Sequence, residues 1–125
     1  MRRLPLYALG TCLLLSACAS ARPIPYNWGN YPFTLYQLKK DPSNETLQAH
    51  KQVLVEIIQV SNQQSMRVPP GVFAEYGYFL VKEGNTEEGL KYLDLEAQTY
   101  PESKVFVERI KAQASQPTSE KEQRK

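Results

Sequence analysis

Residues 70–103 read "PGVFAEYGYFLVKEGNTEEGLKYLDLEAQTYPES", and the glycines and prolines in that stretch decide the fold. Phe73, Tyr76 and Leu80 recur at helical spacing, which gives the first half one apolar face. Gly84 ends that helix, and Asn85 stands where it can cap the next, with Glu88 three residues on in the manner of a capping box. Leu90, Leu93 and Ala97 form the apolar stripe of the second helix, which Pro101 stops at Tyr100. Gly77 and Gly89 fall inside the two helices, where glycine costs roughly 1 kcal/mol against alanine. Two such costs point to a packing need: the antiparallel helices cross where only a hydrogen fits between them.

Working outward, Val68-Pro69-Pro70-Gly71 is a rigid break on the N-terminal side. Before it, Asp41 as N-cap and Pro42 at the first helical position predict a helix over 42–59. Leu47, His50, Leu54, Ile57, Ile58 and Ser61 fall on its apolar face, and residues 61–65, "SNQQS", lose the period. A short helix over 32–40 carries Phe33, Leu35, Tyr36 and Leu38. On the C-terminal side, "SKVFVERIKAQ" offers Val105, Phe106 and Ile110 as a capping helix. No strand-like alternation persists long enough to compete. The expected fold is therefore an all-α domain of about five helices over 26–114.

Residues 70–103 resemble a single tetratricopeptide repeat, aligned over 34 residues without a gap. Phe73, Tyr76, Gly77, Leu80, Gly84, Gly89, Leu90, Leu93 and Pro101 stand at the repeat's signature places. The resemblance departs at Glu96, where the repeat has a small residue; there a carboxylate points into a groove or accepts a hydrogen bond. One repeat cannot bury both its faces. The helix over 42–59 is expected to cover one side as the remnant of an earlier repeat, and the helix carrying Val105, Phe106 and Ile110 the other. With no second repeat in register, a long solenoid is excluded. Repeats of this kind bind peptides along the first helix, which implies a face of Ala74, Tyr78, Val81 and Lys82 with Glu75 at its edge. The same positions read equally well as exposed or neighbour-packed sites of a small bundle.

The first eighteen residues supply an address. Arg2-Arg3 precedes an apolar run over 4–15, too short for the ~20 residues of a spanning helix but suited to a signal peptide. Leu15-Ser16-Ala17-Cys18 resembles the lipobox of bacterial lipoproteins. That resemblance implies removal of residues 1–17, diacylglycerol on the Cys18 sulfur and an acylated new N-terminus. Ala19 and Ser20 follow in place of Asp, which by resemblance to Gram-negative sorting implies the outer membrane, facing the periplasm. The alternative is an ordinary signal peptide cut near Ala19 or Ala21. Residues 18–25 form a lipidated tether, of which "SARPIP" extends about 20 Å. Residues 115–125, "SQPTSEKEQRK", contain no apolar side chain and read as a disordered polar tail.

Between tether and helices lies "YNWGNY", with Tyr26, Tyr31 and the only tryptophan, Trp28. Three roles fit it: an apolar plug that Gly29 lets fold inward, a contact for a partner, or an anchor at the lipid interface. With this motif (Tyr26, Trp28, Gly29, Tyr31), Pro69-Pro70-Gly71, the Gly77 and Gly84 pair and Pro101-Glu102-Ser103, residues 26–111 resemble a family of small Gram-negative lipoproteins of unknown function. Such proteins tend to be encoded beside lipoproteins similar to the curli-secretion pore. The resemblance implies an accessory, protein-binding role in envelope assembly or secretion, with a pore-like lipoprotein as partner. Activation of a peptidoglycan synthase and direct glycan binding by the aromatic cluster are the alternatives.

The remaining residues argue against chemistry. Nucleophilic catalysis needs an activated Ser, Cys or Thr beside a base. The one histidine, His50, sits on the apolar side of a helix and reads as structural. Cys12 leaves with the signal peptide and Cys18 is consumed as a thioether, so no metal-ligand set and no disulfide is expected. Adjacent Glu87 and Glu88 point apart on a helix and suit its first turn. After cleavage thirteen basic residues face thirteen acidic ones, so nucleic acid is an unsuitable partner. The sequence therefore predicts a non-enzyme without cofactor, metal or small-molecule substrate.

Overall fold

Three residues, Asp41-Pro42-Ser43, turn the chain between its first two helices, and each has a defined task. The computed structural model describes residues 25–114, so the expected signal peptide, Cys18, most of the expected tether and the expected polar tail lie outside the described residues. Helix α1 (Tyr31–Lys40) begins with Pro32 in its first turn, and the Asp41 N–H closes it by donating to the Gln37 carbonyl. Helix α2 (Asn44–Gln63) starts on Ser43, not on Asp41. The Ser43 hydroxyl accepts from the Thr46 N–H while the Thr46 hydroxyl accepts from the Ser43 N–H, a reciprocal pair that Asp41 cannot make while it ends α1. α2 also runs past residue 59. It ends where Ser65 takes φ 54° and the Ser65 and Met66 N–H groups reach back to the Asn62 and Ser61 carbonyls.

Gly71 at φ 90° turns the chain into α3 (Val72–Lys82), and Gly84 at φ 90° turns it out. The Gly84 and Asn85 N–H groups bond to the Val81 and Leu80 carbonyls, which satisfies the helix end as the sequence reading requires. Helix α4 (Thr86–Thr99) follows. Asn85 does not cap it through its side chain: its amide donates to Glu88 Oε2 at 2.8 Å instead, so the expected capping box is absent. A 3₁₀ turn (Pro101–Ser103) leads into α5 (Lys104–Ala114). Among the described residues there are five α-helices and no strand, as expected.

The core has two parts. Val53, Leu54, Ile57 and Ile58 of α2 pack against Val68, Val72 and Phe73, with Tyr76, Phe79 and Tyr92 closing the edge. Ala74, Leu93 and Val107 form the second part, joining α3, α4 and α5. α3 packs chiefly on α4, and the two glycines mark the crossing. A Cβ on Gly77 would lie 2.7 Å from the Gly89 carbonyl oxygen, and one on Gly89 2.6 Å from that of Gly77.

In α5, Ile110 packs against the second core as expected, but the other residues that the sequence suggested do not. In α5, Val107 is the buried residue, whereas Val105 and Phe106 are 66% and 56% exposed. In α1 only Thr34 is buried, and Phe33 and Tyr36 face outward. Lys111 pairs with Asp94 and ties α5 to α4.

Glu96 resolves its mismatch with the repeat pattern by accepting a hydrogen bond. It is buried beneath the start of α3, where Oε1 accepts from the Gly71 N–H at 2.8 Å. Burial raises its pKa above the ordinary 4.5 and the Glu102 charge adds to that, against the backbone N–H groups of Gly71, Ala74 and Phe73. The folded chain therefore holds this proton more tightly than the unfolded chain. Its contribution to stability is fully present below pH 4.5 and is lost as pH rises through the folded value. Glu96→Gln is expected to remove that loss, which melting curves of both proteins below pH 4.5 and near neutrality would read as converging at the acid end. Glu96→Ala strands the Gly71 N–H and is expected to cost about 1–3 kcal/mol.

Candidate functional site: a groove between the first, third and fifth helices

Because α1 and α5 flank α3 on one side, the structure leaves an open groove of about 710 Å³ between them. Tyr31 and Leu35 form one wall, Phe106, Arg109, Ile110 and Gln113 the other, and Gly71, Ala74, Glu75 and Tyr78 the floor. The lining is mainly apolar and aromatic. Arg109 has no ion-pair partner among the described residues, so one cation stands free on the wall.

Tyr31 from the aromatic motif and Glu75 and Tyr78 from the first-helix face, two separate candidate surfaces in the sequence, line the same groove. Ala74 is also present, buried as floor. Lys82 sits one turn beyond, its Nζ 5.5 Å over the Tyr78 ring. Val81 belongs elsewhere: its Cγ2 fills the space that a side chain on Gly89 would occupy, so it serves the α3–α4 contact. Phe106 and Arg109 were not singled out as binding residues. Phe106 looked like core cover, and only the register of α5 on α4 turns it to the groove.

Tyr26 and Trp28 continue the aromatic wall rather than line it. Trp28 packs edge-on to Tyr31 at 5.4 Å and to Tyr26 at 6.5 Å, and is 38% exposed. Tyr31 and Tyr26 turn inward more than Trp28 does. Tyr26 reaches the Tyr100 hydroxyl, which donates to the buried Val68 carbonyl at 2.6 Å. Burial and then Tyr26 raise the Tyr100 phenol above its ordinary value, against the pull of Arg67 on its ring.

Under the groove floor lies a polar chain that has no local signature along the sequence. The Tyr31 hydroxyl donates to Glu75 Oε2 at 2.7 Å. His50 is fully buried, with Nε2 3.2 Å from Glu75 Oε1 and Nδ1 2.8 Å from Thr34 Oγ1. A carboxylate only accepts, so Nε2 carries a hydrogen. Burial, followed by donation to Glu75, pushes the Tyr31 phenol well above its ordinary value. Thr34, His50 and Glu75 share the order of a catalytic triad, but not its exposure. The Thr34 hydroxyl is buried inside α1 and lies 3.3 Å from the Asn30 and Tyr31 carbonyls. The chain is a clamp that joins α1, α2 and α3 through bonds spanning 16, 25 and 44 residues.

A second depression, about 680 Å³, lies against α4, with Ile58, Phe73, Tyr92 and Leu95 beside charged Glu87, Glu88 and Lys91. No group of three or more His, Cys, Asp or Glu side chains converges among the described residues. Nor is any described helix long and apolar enough to cross a membrane.

Residues 25–110 match the family described as Domain of unknown function (DUF4810). Nothing matches among curated proteins or among solved structures.

Proposed function

We propose that this chain, which belongs to the DUF4810 family, is a lipid-anchored, periplasm-facing protein of the outer membrane that binds a segment of another envelope protein. The observation that carries the reading is the open groove between α1, α3 and α5, with aromatic walls and Arg109, which has no ion-pair partner among the described residues. Apolar side chains give such a segment its affinity, and Arg109 selects one with a carboxylate at the right distance. The α3–α4 hairpin is read as a tetratricopeptide-like repeat, with α2 and α5 as its cover. No catalytic step, metal or cofactor enters the reading. The favoured partner is a lipoprotein similar to the curli-secretion pore, in an assembly or secretion apparatus.

Photocrosslinkers placed at Tyr78 and Phe106 in intact cells test it, with Leu95 on the opposite side as control. Capture of a pore-like lipoprotein from both groove positions, and not from Leu95, is the expected result. Capture of a peptidoglycan synthase would replace the partner. Capture of no protein, with sedimentation on purified peptidoglycan, would favour glycan binding and overturn the reading. Cys18→Ala tests the address: mass and membrane association should both change.

A further inference from the structure

The outward face of α1 is unusual for a surface helix. Phe33, Tyr36 and Lys40 fall within an arc of about 60°, opposite the side that carries Thr34. Phe33 is 56% exposed, Tyr36 is 60% exposed, and Lys39 and Lys40 are exposed beside them. The helix contains no acidic residue, and neither lysine has an ion-pair partner among the described residues. The first acid beyond it is Asp41. A soluble surface would normally place polar groups where the two aromatic rings stand.

We infer that this face of α1 rests in the interface of the bilayer that holds the lipid anchor. Phe33 enters the acyl boundary, Tyr36 lies at headgroup depth, and Lys39 and Lys40 meet anionic phosphates. Two observations select lipid over protein. The charge is of one sign and suits an anionic leaflet. The described chain begins at Pro25, seven residues after Cys18, so the acyl chains lie within at most ~25 Å of it. A ten-residue helix is about 15 Å long and lies along the surface rather than across it. This inference rests on the proposed Cys18 anchor, but not on the groove.

The test uses the full lipidated protein in vesicles of phosphatidylethanolamine and phosphatidylglycerol with brominated acyl chains. Trp28→Phe removes the only tryptophan, and Phe33→Trp then places a reporter on the face itself. A second protein carries Trp28→Phe with Phe106→Trp. The reporter at position 33 should lose most of its emission to bromine and shift to the blue, while the one at 106 should do neither. Adding Lys39→Gln and Lys40→Gln should abolish the dependence of that quenching on phosphatidylglycerol. Equal quenching at the two positions, or none at 33 while the protein floats with the vesicles, overturns the inference and leaves the anchor standing. Crosslinking from position 33 to a protein in cells makes the face a protein contact and also overturns it. A protein that does not float refutes the anchor, and this inference with it.

Discussion

Gly77→Ala is expected to lower the melting temperature by roughly 10 °C or more, although alanine is the better helix former. The added methyl would sit 2.7 Å from the Gly89 carbonyl oxygen and 3.1 Å from both the Leu93 N and the Tyr92 Cβ. Two of those neighbours are backbone, so no rotamer change relieves the contact and α4 must move as a body. Helix propensity returns about 1 kcal/mol. Overpacking and the loosening of Leu93, which is fully buried, outweigh it, for a net loss of ~2–3 kcal/mol. Gly89→Ala should behave alike, and the double variant should cost less than the sum, because one displacement makes room for both methyls. A Gly77→Ala protein that melts at or above the wild-type temperature would show that the hairpin does not need its close crossing.

His50→Ala should be the more damaging substitution, by about 3–5 kcal/mol. It opens a cavity where a fully buried ring stood and leaves Glu75 Oε1 and the Thr34 hydroxyl without their partner. The loss should fall first on α1, since Thr34 is the one buried residue of that helix. Trp28 reports it directly: its ring packs 5.4 Å from Tyr31, and its emission should shift to the red before the rest of the domain unfolds. Glu75→Gln keeps the shape and should give a smaller loss of the same kind. Stability within ~1 kcal/mol of wild type for His50→Ala, with unchanged emission, would mean that the clamp does not hold α1.

The parts of this structure that were legible in the sequence are those set by local backbone chemistry. Gly84 must take a left-handed turn, Pro101 must end α4, and paired glycines must mark a crossing; each holds in the structure. Where two local signals compete, the sequence does not arbitrate. Asp41 and Ser43 are both good caps, and the choice falls to Ser43 because Thr46 can answer it. "KVFV" offers three apolar side chains in four positions, so the spacing alone does not say which is buried. Packing against Leu93 and Ala74 selects Val107. The clamp was illegible for another reason. Its members are brought together by the packing of three helices, and no local pattern links His50 to Thr34, Glu75 or Tyr31.

The two walls of the groove are also the two α-helices with the fewest buried residues, Thr34 in α1 and Val107 in α5. The floor, by contrast, belongs to α3, which carries five buried residues. Opening either wall therefore exposes few fully buried side chains, and amide exchange in α1 and α5 is expected to outpace that of the α3–α4 hairpin. The width of the groove would then be an average over such openings. An occupant that bridges the walls stabilises the closed members of the ensemble, so that binding and the ordering of the domain's two ends become one equilibrium.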